Sequence, residues 1–218
     1  MGRTLTRQER ERLEGRVAEA EAHTGTQLVV AVIDRCDTYP ELPWKAFALG
    51  VVAASLAGWA ARVALAPGAL APGEVLAGTV AVLAAGAAAA LLSVFLPAFA
   101  RLFLDAQRAE LETRQYAESL FLSRELFATT RRNGVLLLVG MFERQVVVLP
   151  DRGLVERLEP GVFEGVVRGM TPLLGSGRVA RALEVGLDGL VAVLNETALP
   201  GAAENELPDA IIEERGDP

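Results

Sequence analysis

Cysteine, histidine, lysine and aromatic side chains are scarce in this chain, and so is any surplus of positive charge. The single cysteine among 218 residues, Cys36, allows no internal disulfide and no thiolate zinc site. The single histidine, His23, would need partners from elsewhere to act as catalyst or ligand, and its place near the end of a helical stretch suits a cation at a helix C-terminus. Basic residues number 21 against 28 acidic ones, for a net charge of −7, and no region is cationic. Nucleic-acid binding draws much of its affinity from neutralised phosphates, so DNA and RNA are not expected partners. With 51% apolar residues, the chain is also no disordered polymer, collagen or disulfide-stapled miniprotein.

What the chain has in excess is local. No charge lies between Ala46 and Ala61, and Val75 to Ala100 is another uncharged run, with only Arg62 and Glu74 between them. A membrane-spanning helix needs about 20 such residues. Ala46 to Leu65 and Val75 to Phe99 therefore read as two antiparallel spans, joined through Pro67-Gly68 and Pro72-Gly73, which break helices and favour turns. Arg62 reaches the headgroups along its aliphatic stem, or pairs with Glu74. Small residues such as Gly50, Ala53, Gly58, Ala85 and Gly86 would let the two backbones approach closely. The alternative, a buried hairpin in a soluble protein, would leave too little chain to cover it. Trp44 and Trp59 sit near the ends of the first span, as interfacial rings do.

Arg35, Lys45, Arg101, Arg108 and Arg114 flank the hairpin outside its turn, so the positive-inside rule puts both termini in the cytoplasm. The opening MGRTLTRQERERLEGR has no apolar run, so no cleavable leader is expected. The expected location is the inner (cytoplasmic) membrane, as a multi-pass protein. Of the 21 basic residues 20 are arginine, a bias of GC-rich bacterial genomes.

Residues 1–45 and 101–195 then make one discontinuous domain around the hairpin of residues 46–100, followed by an acidic tail, 196–218, expected to be disordered. Thr6 and Glu9 form a capping pair before an apolar stripe of Leu13, Val17 and Ala20, and Gly25 ends that helix. Gln27 to Ile33 is an unbroken apolar run, the mark of a strand covered on both faces. Arg101 to Thr130 reads as helical, continuing the second span with or without a break, and Asn133-Gly134 as its close. Val135 to Val139 and Gln145 to Leu149 read as an antiparallel hairpin, the first of these parallel to Gln27–Ile33. Two helices, roughly 160–174 and 178–195, complete the covering of the sheet.

Candidate chemistry is thin. Asp34, Asp37 and Glu41 follow the first strand, where ligands of parallel sheets collect. With Asp151 they could hold calcium, although a site of six to eight oxygens needs more than these side chains. Asp151 and Arg152 could also bind a phosphate, and both sets have a simpler reading as turn residues. Acids beside Cys36 would raise its thiol pKa rather than activate it. No cofactor is expected.

The order of a capped helix, an apolar strand, a crossover helix, RRNGVLLLVGMFERQVVVLPDRGL and two closing helices resembles the TPM domain family. Asn133-Gly134 leading straight into a strand, and Gly153-Leu154 after the next, carry most of the likeness. The resemblance implies a three-layer α/β domain with a small central mixed sheet covered by helices, here interrupted by a two-helix transmembrane hairpin. It also implies a place at a membrane and roles in assembly or repair of membrane complexes, receptor modulation, acid phosphatase activity or calcium binding. The chain departs from the family where carboxylates matter: only Met1 to Arg3 precede the first helix, and Leu149-Pro150-Asp151-Arg152-Gly153 replaces a Gly-x-Gly. The expected function is a membrane-anchored, non-catalytic interaction or assembly module whose partners are the lipid bilayer and an unidentified membrane protein. The alternative is a metal-dependent phosphatase-like hydrolase using Asp34, Asp37 and Asp151.

Overall fold

The computed structural model describes residues 4–65, 68, 71–195, 206–207 and 210–216. In chain order the elements are α1 (Arg7–Thr24), β1 (Gln27–Ile33), α2 (Glu41–Leu65), α3 (Pro72–Phe95), α4 (Pro97–Ala100), α5 (Ala106–Ser123), β2 (Gly134–Gly140), β3 (Gln145–Pro150), α6 (Arg152–Val155), α7 (Glu164–Gly175), α8 (Val179–Asn195) and β4 (Ile212–Glu214). They form two compact units, residues 1–37 with 107–218, and residues 38–106.

The first unit is built on a sheet in the order β3-β2-β1-β4. Strand β1 runs parallel to β2 from Gln27↔Gly134 to Ile33↔Gly140, and β2 pairs antiparallel with β3. Every residue of β1 and β2 is buried, as an apolar run without alternation requires when both faces are covered. On one face Leu28, Val30, Val32, Leu137 and Val139 pack with Leu13 and Val17 of α1, Met170 of α7, and Leu183, Leu187 and Leu190 of α8. On the other, Val29, Ala31, Ile33, Leu136 and Leu138 pack with Ala117 and Leu120 of α5 and with Leu126. The domain is thus a three-layer α/β fold. Helix α1 starts as its sequence dictates: the Thr6 hydroxyl accepts from the Glu9 amide at 3.3 Å, and the Glu9 carboxylate accepts from the Thr6 amide at 2.9 Å. Gly25, at φ +65°, closes it in the left-handed conformation.

Four expectations need correction. The acidic tail is not all solvated: Ile212–Glu214 form β4, parallel to β1, with Ala31↔Ile212 and Ile33↔Glu214 in register. The rest of that expectation, at residues 196–205, 208–209 and 217–218, lies outside the described residues. The helix expected over Arg101 to Thr130 is shorter, Ala106–Ser123, and of the two alternatives the chain takes the broken one, since Leu96-Pro97 stops α3 and α5 starts afresh. Asn133-Gly134 does not cap that helix. Its left-handed residue is Glu125, φ 53°, and Gly134 is the first residue of β2. The short α6 was not foreseen. The inserted unit also reaches beyond 46–100, running from Thr38 to Ala106, with α2 beginning at Glu41.

The second unit is the helical hairpin. Its helices, of 25 and 24 residues, are each about 37 Å long at 1.5 Å per residue, and both are long and apolar enough to cross a membrane. They approach closely where the sequence is smallest. A Cβ on Gly50 would lie 2.8 Å from the Ala85 carbonyl oxygen, and one on Gly86 would lie 2.7 Å from the Val51 side chain. The outer surfaces expose Leu49, Leu56, Leu76, Val80 and Leu91, with Trp44 and Trp59 toward the ends of α2. Arg62 donates to the Gly68 carbonyl at 2.8 Å and lies 3.9 Å from the Glu74 carboxylate.

Candidate functional site

Asp34 and Asp37 leave the carboxyl end of β1, where Met141 and Phe142 donate to the carbonyls of Ile33 and Asp34. A hollow of about 400 Å³ opens there, lined by Asp37, Glu112, Gln115, Tyr116, Ser119 and Glu214, among others. Its carboxylates already face donors. Arg108 lies between Asp37, at 3.2 Å, and Glu112, at 3.5 Å. Glu214 accepts from Arg124 at 2.7 Å and from the Tyr116 hydroxyl at 3.0 Å. Asp34 is exposed and faces the Thr4 hydroxyl at 3.4 Å.

Beneath the hollow Cys36 is buried, its amide donating to Glu143 at 2.9 Å. Burial first, and then the Glu143 charge, push the thiol far above its ordinary range, so it is no nucleophile at neutral pH. The acid responsible is Glu143 rather than the neighbouring Asp34 and Asp37. Gly140 makes room for the pair, because a Cβ there would lie 2.8 Å from the Glu143 carboxylate.

Asp151 is elsewhere. It caps α6 at the opposite end of the sheet, its amide donating to the Gly134 carbonyl at 2.7 Å. Six strand residues at roughly 3.3 Å each put about 20 Å between the two ends of β2. The structure therefore brings Asp37 near the end of β1 that carries Asp34, and keeps Asp151 apart from both. Asp151 is 4% exposed, and its carboxylate takes a two-pronged contact from Arg132, at 2.9 and 3.1 Å, and the Arg152 amide at 2.6 Å. Arg152 turns its own side chain to Glu156. An Asp151–Arg152 pair poised for phosphate is thus not assembled.

The most characteristic sequence motif is a joint. The Asn133 side chain donates to the Gly25 carbonyl at 2.6 Å, tying the end of α1 to the start of β2. A Cβ on Gly134 would lie 2.5 Å from the Leu126 carbonyl oxygen, and one on Gly153 would lie 2.5 Å from that of Arg132, so both positions need glycine. His23 holds the Glu19 carbonyl in the last turn of α1 and takes no part in either end of the sheet.

Among the described residues no three His, Cys, Asp or Glu side chains group to hold a metal ion. The donor set at the hollow also fits calcium poorly, since its carboxylates engage guanidinium groups and a phenol. The site residues that sequence reasoning missed are Arg108, Tyr116, Arg124, Glu143 and Glu214. Only the Arg108/Glu112 spacing on one helix face carried a local signal.

A small mixed sheet between helical layers, split by an inserted apolar hairpin, defines the class. Residues 100–193 match the family model of the TPM domain, a stretch that begins where the hairpin ends. Over these residues the chain is similar to TPM domains. The NMR structure of the BA42 protein from the psychrophilic bacterium Bizionia argentinensis has a similar fold, with a TM-score of 0.59 and 13% identity over 98% of this chain and 97% of that one. No curated protein matches the chain.

Proposed function

We propose that this protein is a membrane-anchored TPM domain that works without catalysis, as a docking or assembly module for a membrane protein at the cytoplasmic face of the inner membrane. The observation that carries the reading is the hairpin. Two helices of spanning length, with large apolar side chains facing outward, are spliced between β1 and α5 of a layered domain. Such a surface is stable in hydrocarbon and costly in water. Basic residues at the domain side of both helices support a cytoplasmic placement of the domain and of both termini. The distance between Asp151 and the Asp34/Asp37 end of the sheet speaks against the hydrolase alternative, which needs those carboxylates around one ion.

Carbonate extraction and cysteine-accessibility mapping test the anchor: the protein should stay with the membrane, with positions beside α1 and α8 labelled only from the cytoplasmic side. Photo-crosslinking in intact membranes should give a discrete protein adduct. A water-extractable chain, or phosphomonoester hydrolysis that Asp34→Asn and Asp37→Asn abolish, would overturn the proposal.

A further inference from the structure

The edge of β1 away from β2 is occupied by the chain's own C-terminal segment, and the way it is held is that of a peptide ligand. Residues 206–207 and 210–216 reach this edge after ten intervening residues, 196–205. The backbone of β4 pairs along Ala31 to Ile33, and the Asp34 amide donates to the Glu214 carbonyl at 3.0 Å. Successive side chains then alternate between the two faces of the sheet. Ile211 is buried in the core under α1 and α8, and Glu213 on the same side meets Arg10 of α1 at 2.8 Å. Ile212, half-buried, packs against the core under α5, and Glu214 on that side meets Arg124 and Tyr116.

The rest of the segment is read as closely. Arg10 also donates to the Ile211 carbonyl at 3.1 Å. The Gln27 side-chain oxygen accepts the amides of Glu206 and Leu207 at 2.9 and 3.0 Å, and Thr130 donates to the Glu206 carboxylate through both its amide and its hydroxyl. At Gly216, φ +80°, a Cβ would sit 1.5 Å from the Arg35 carbonyl oxygen, so only glycine fits. Main-chain pairing supplies affinity in strand addition, and the alternating side chains supply specificity. Here each face takes one apolar and one acidic side chain, the acids being met by arginine.

We propose that the β1 edge, with Arg10, Arg124, Tyr116, Gln27 and Thr130, is an exchangeable strand-addition site for an acidic extended peptide of the pattern Ile-Ile-Glu-Glu-x-Gly, and that residues 206–207 and 210–216 are its resident ligand. A membrane partner that carries such a segment docks by displacing the resident strand. This rests on the docking reading above and names the chemistry of the partner.

The test uses the full chain in detergent or nanodiscs, with a protease site substituted into residues 198–203 and cut only after folding. The released C-terminal fragment should remain bound at low salt, exchange over hours with a labelled synthetic peptide of residues 204–218, and leave faster as NaCl is raised. A peptide carrying Glu213→Lys and Glu214→Lys should compete at least about tenfold less well, in keeping with charge-assisted hydrogen bonds. In the body Arg124→Glu should weaken the native peptide, and a Glu214→Arg peptide should recover binding to it. Loss of the fragment on cutting, no exchange within a day, or equal binding of the charge-reversed peptide overturns the inference. None of these results bears on whether a membrane protein is crosslinked, so failure here leaves the docking reading standing, and failure there leaves a strand site with no partner in that membrane.

Discussion

The inserted hairpin and the layered domain use the same small vocabulary of Ala, Leu, Val and Gly, yet they spend their apolar surface oppositely. In the domain Leu136 and Leu138 are wholly buried, whereas in the hairpin Leu56 is 62% exposed and Trp59 68% exposed. Side-chain type therefore does not distinguish them. What does is the length of the uncharged apolar run: β1 and β2 are strands of seven residues closed by polar turns, whereas the hairpin carries uncharged runs of 16 residues, Ala46 to Ala61, and 26 residues, Val75 to Ala100. A seven-residue run spans about 23 Å as a strand and is fully enclosed by helices, whereas the longer run matches hydrocarbon thickness only as a helix.

Excising the hairpin breaks the comparison most completely. Asp37 and Arg108 are in contact, so a short Gly-Ser linker replacing residues 40–105 should close the gap and release a water-soluble domain. Sedimentation should move the protein from the membrane pellet to the supernatant with its near-ultraviolet dichroism kept, and a persistently aggregated product would count against the two-unit description. Paired truncations sharpen the contrast at smaller scale. Leu138→Ala should cost about 2–5 kcal/mol of stability, as deletions in a close-packed core do, while Leu56→Ala should stay within about 0.5 kcal/mol. Denaturant midpoints of the detergent-solubilised chain would decide, and similar losses at both positions would mean that the hairpin face is covered.

Asp151→Ala removes a helix cap and the bonds from Arg132, and should cost about 2 kcal/mol. As a structural residue it should leave membrane association unchanged. A variant that keeps its melting temperature but loses a phosphatase activity would return Asp151 to chemistry. The smallest effect concerns Cys36. With its thiol pKa raised by burial and by Glu143, it should resist maleimide and iodoacetamide at pH 8 in the native protein, and react at once in denaturant.

Features set by neighbours in the chain were legible in the sequence. Thr6, Glu9 and Gly25 bound α1 through contacts within a few residues, and the apolar runs of β1 and β2 announce strands whose faces are both covered. The β2–β3 pairing follows from a four-residue connection, Met141 to Arg144. The features that escaped reading depend on distant partners. Strand β4 is three residues in an acidic, proline-bearing stretch, and it is a strand because Arg10 and Arg124 receive Glu213 and Glu214. Asp151 has the local sequence of a loop carboxylate, and its holder, Arg132, lies nineteen positions earlier. The role of Asn133-Gly134 was equally hidden, since it lies in the approach of Gly25 and Leu126 rather than in any local turn.

The strand order has a consequence for biogenesis. Strand β1 is the central one, and it is translated before α2 and α3, whereas both of its sheet neighbours are translated after them. On a ribosome its edges stay unpaired until both long apolar helices have been translated. Closure of the sheet thus waits for the whole hairpin, and nascent chains stalled before β2 hold both apolar helices but no paired sheet.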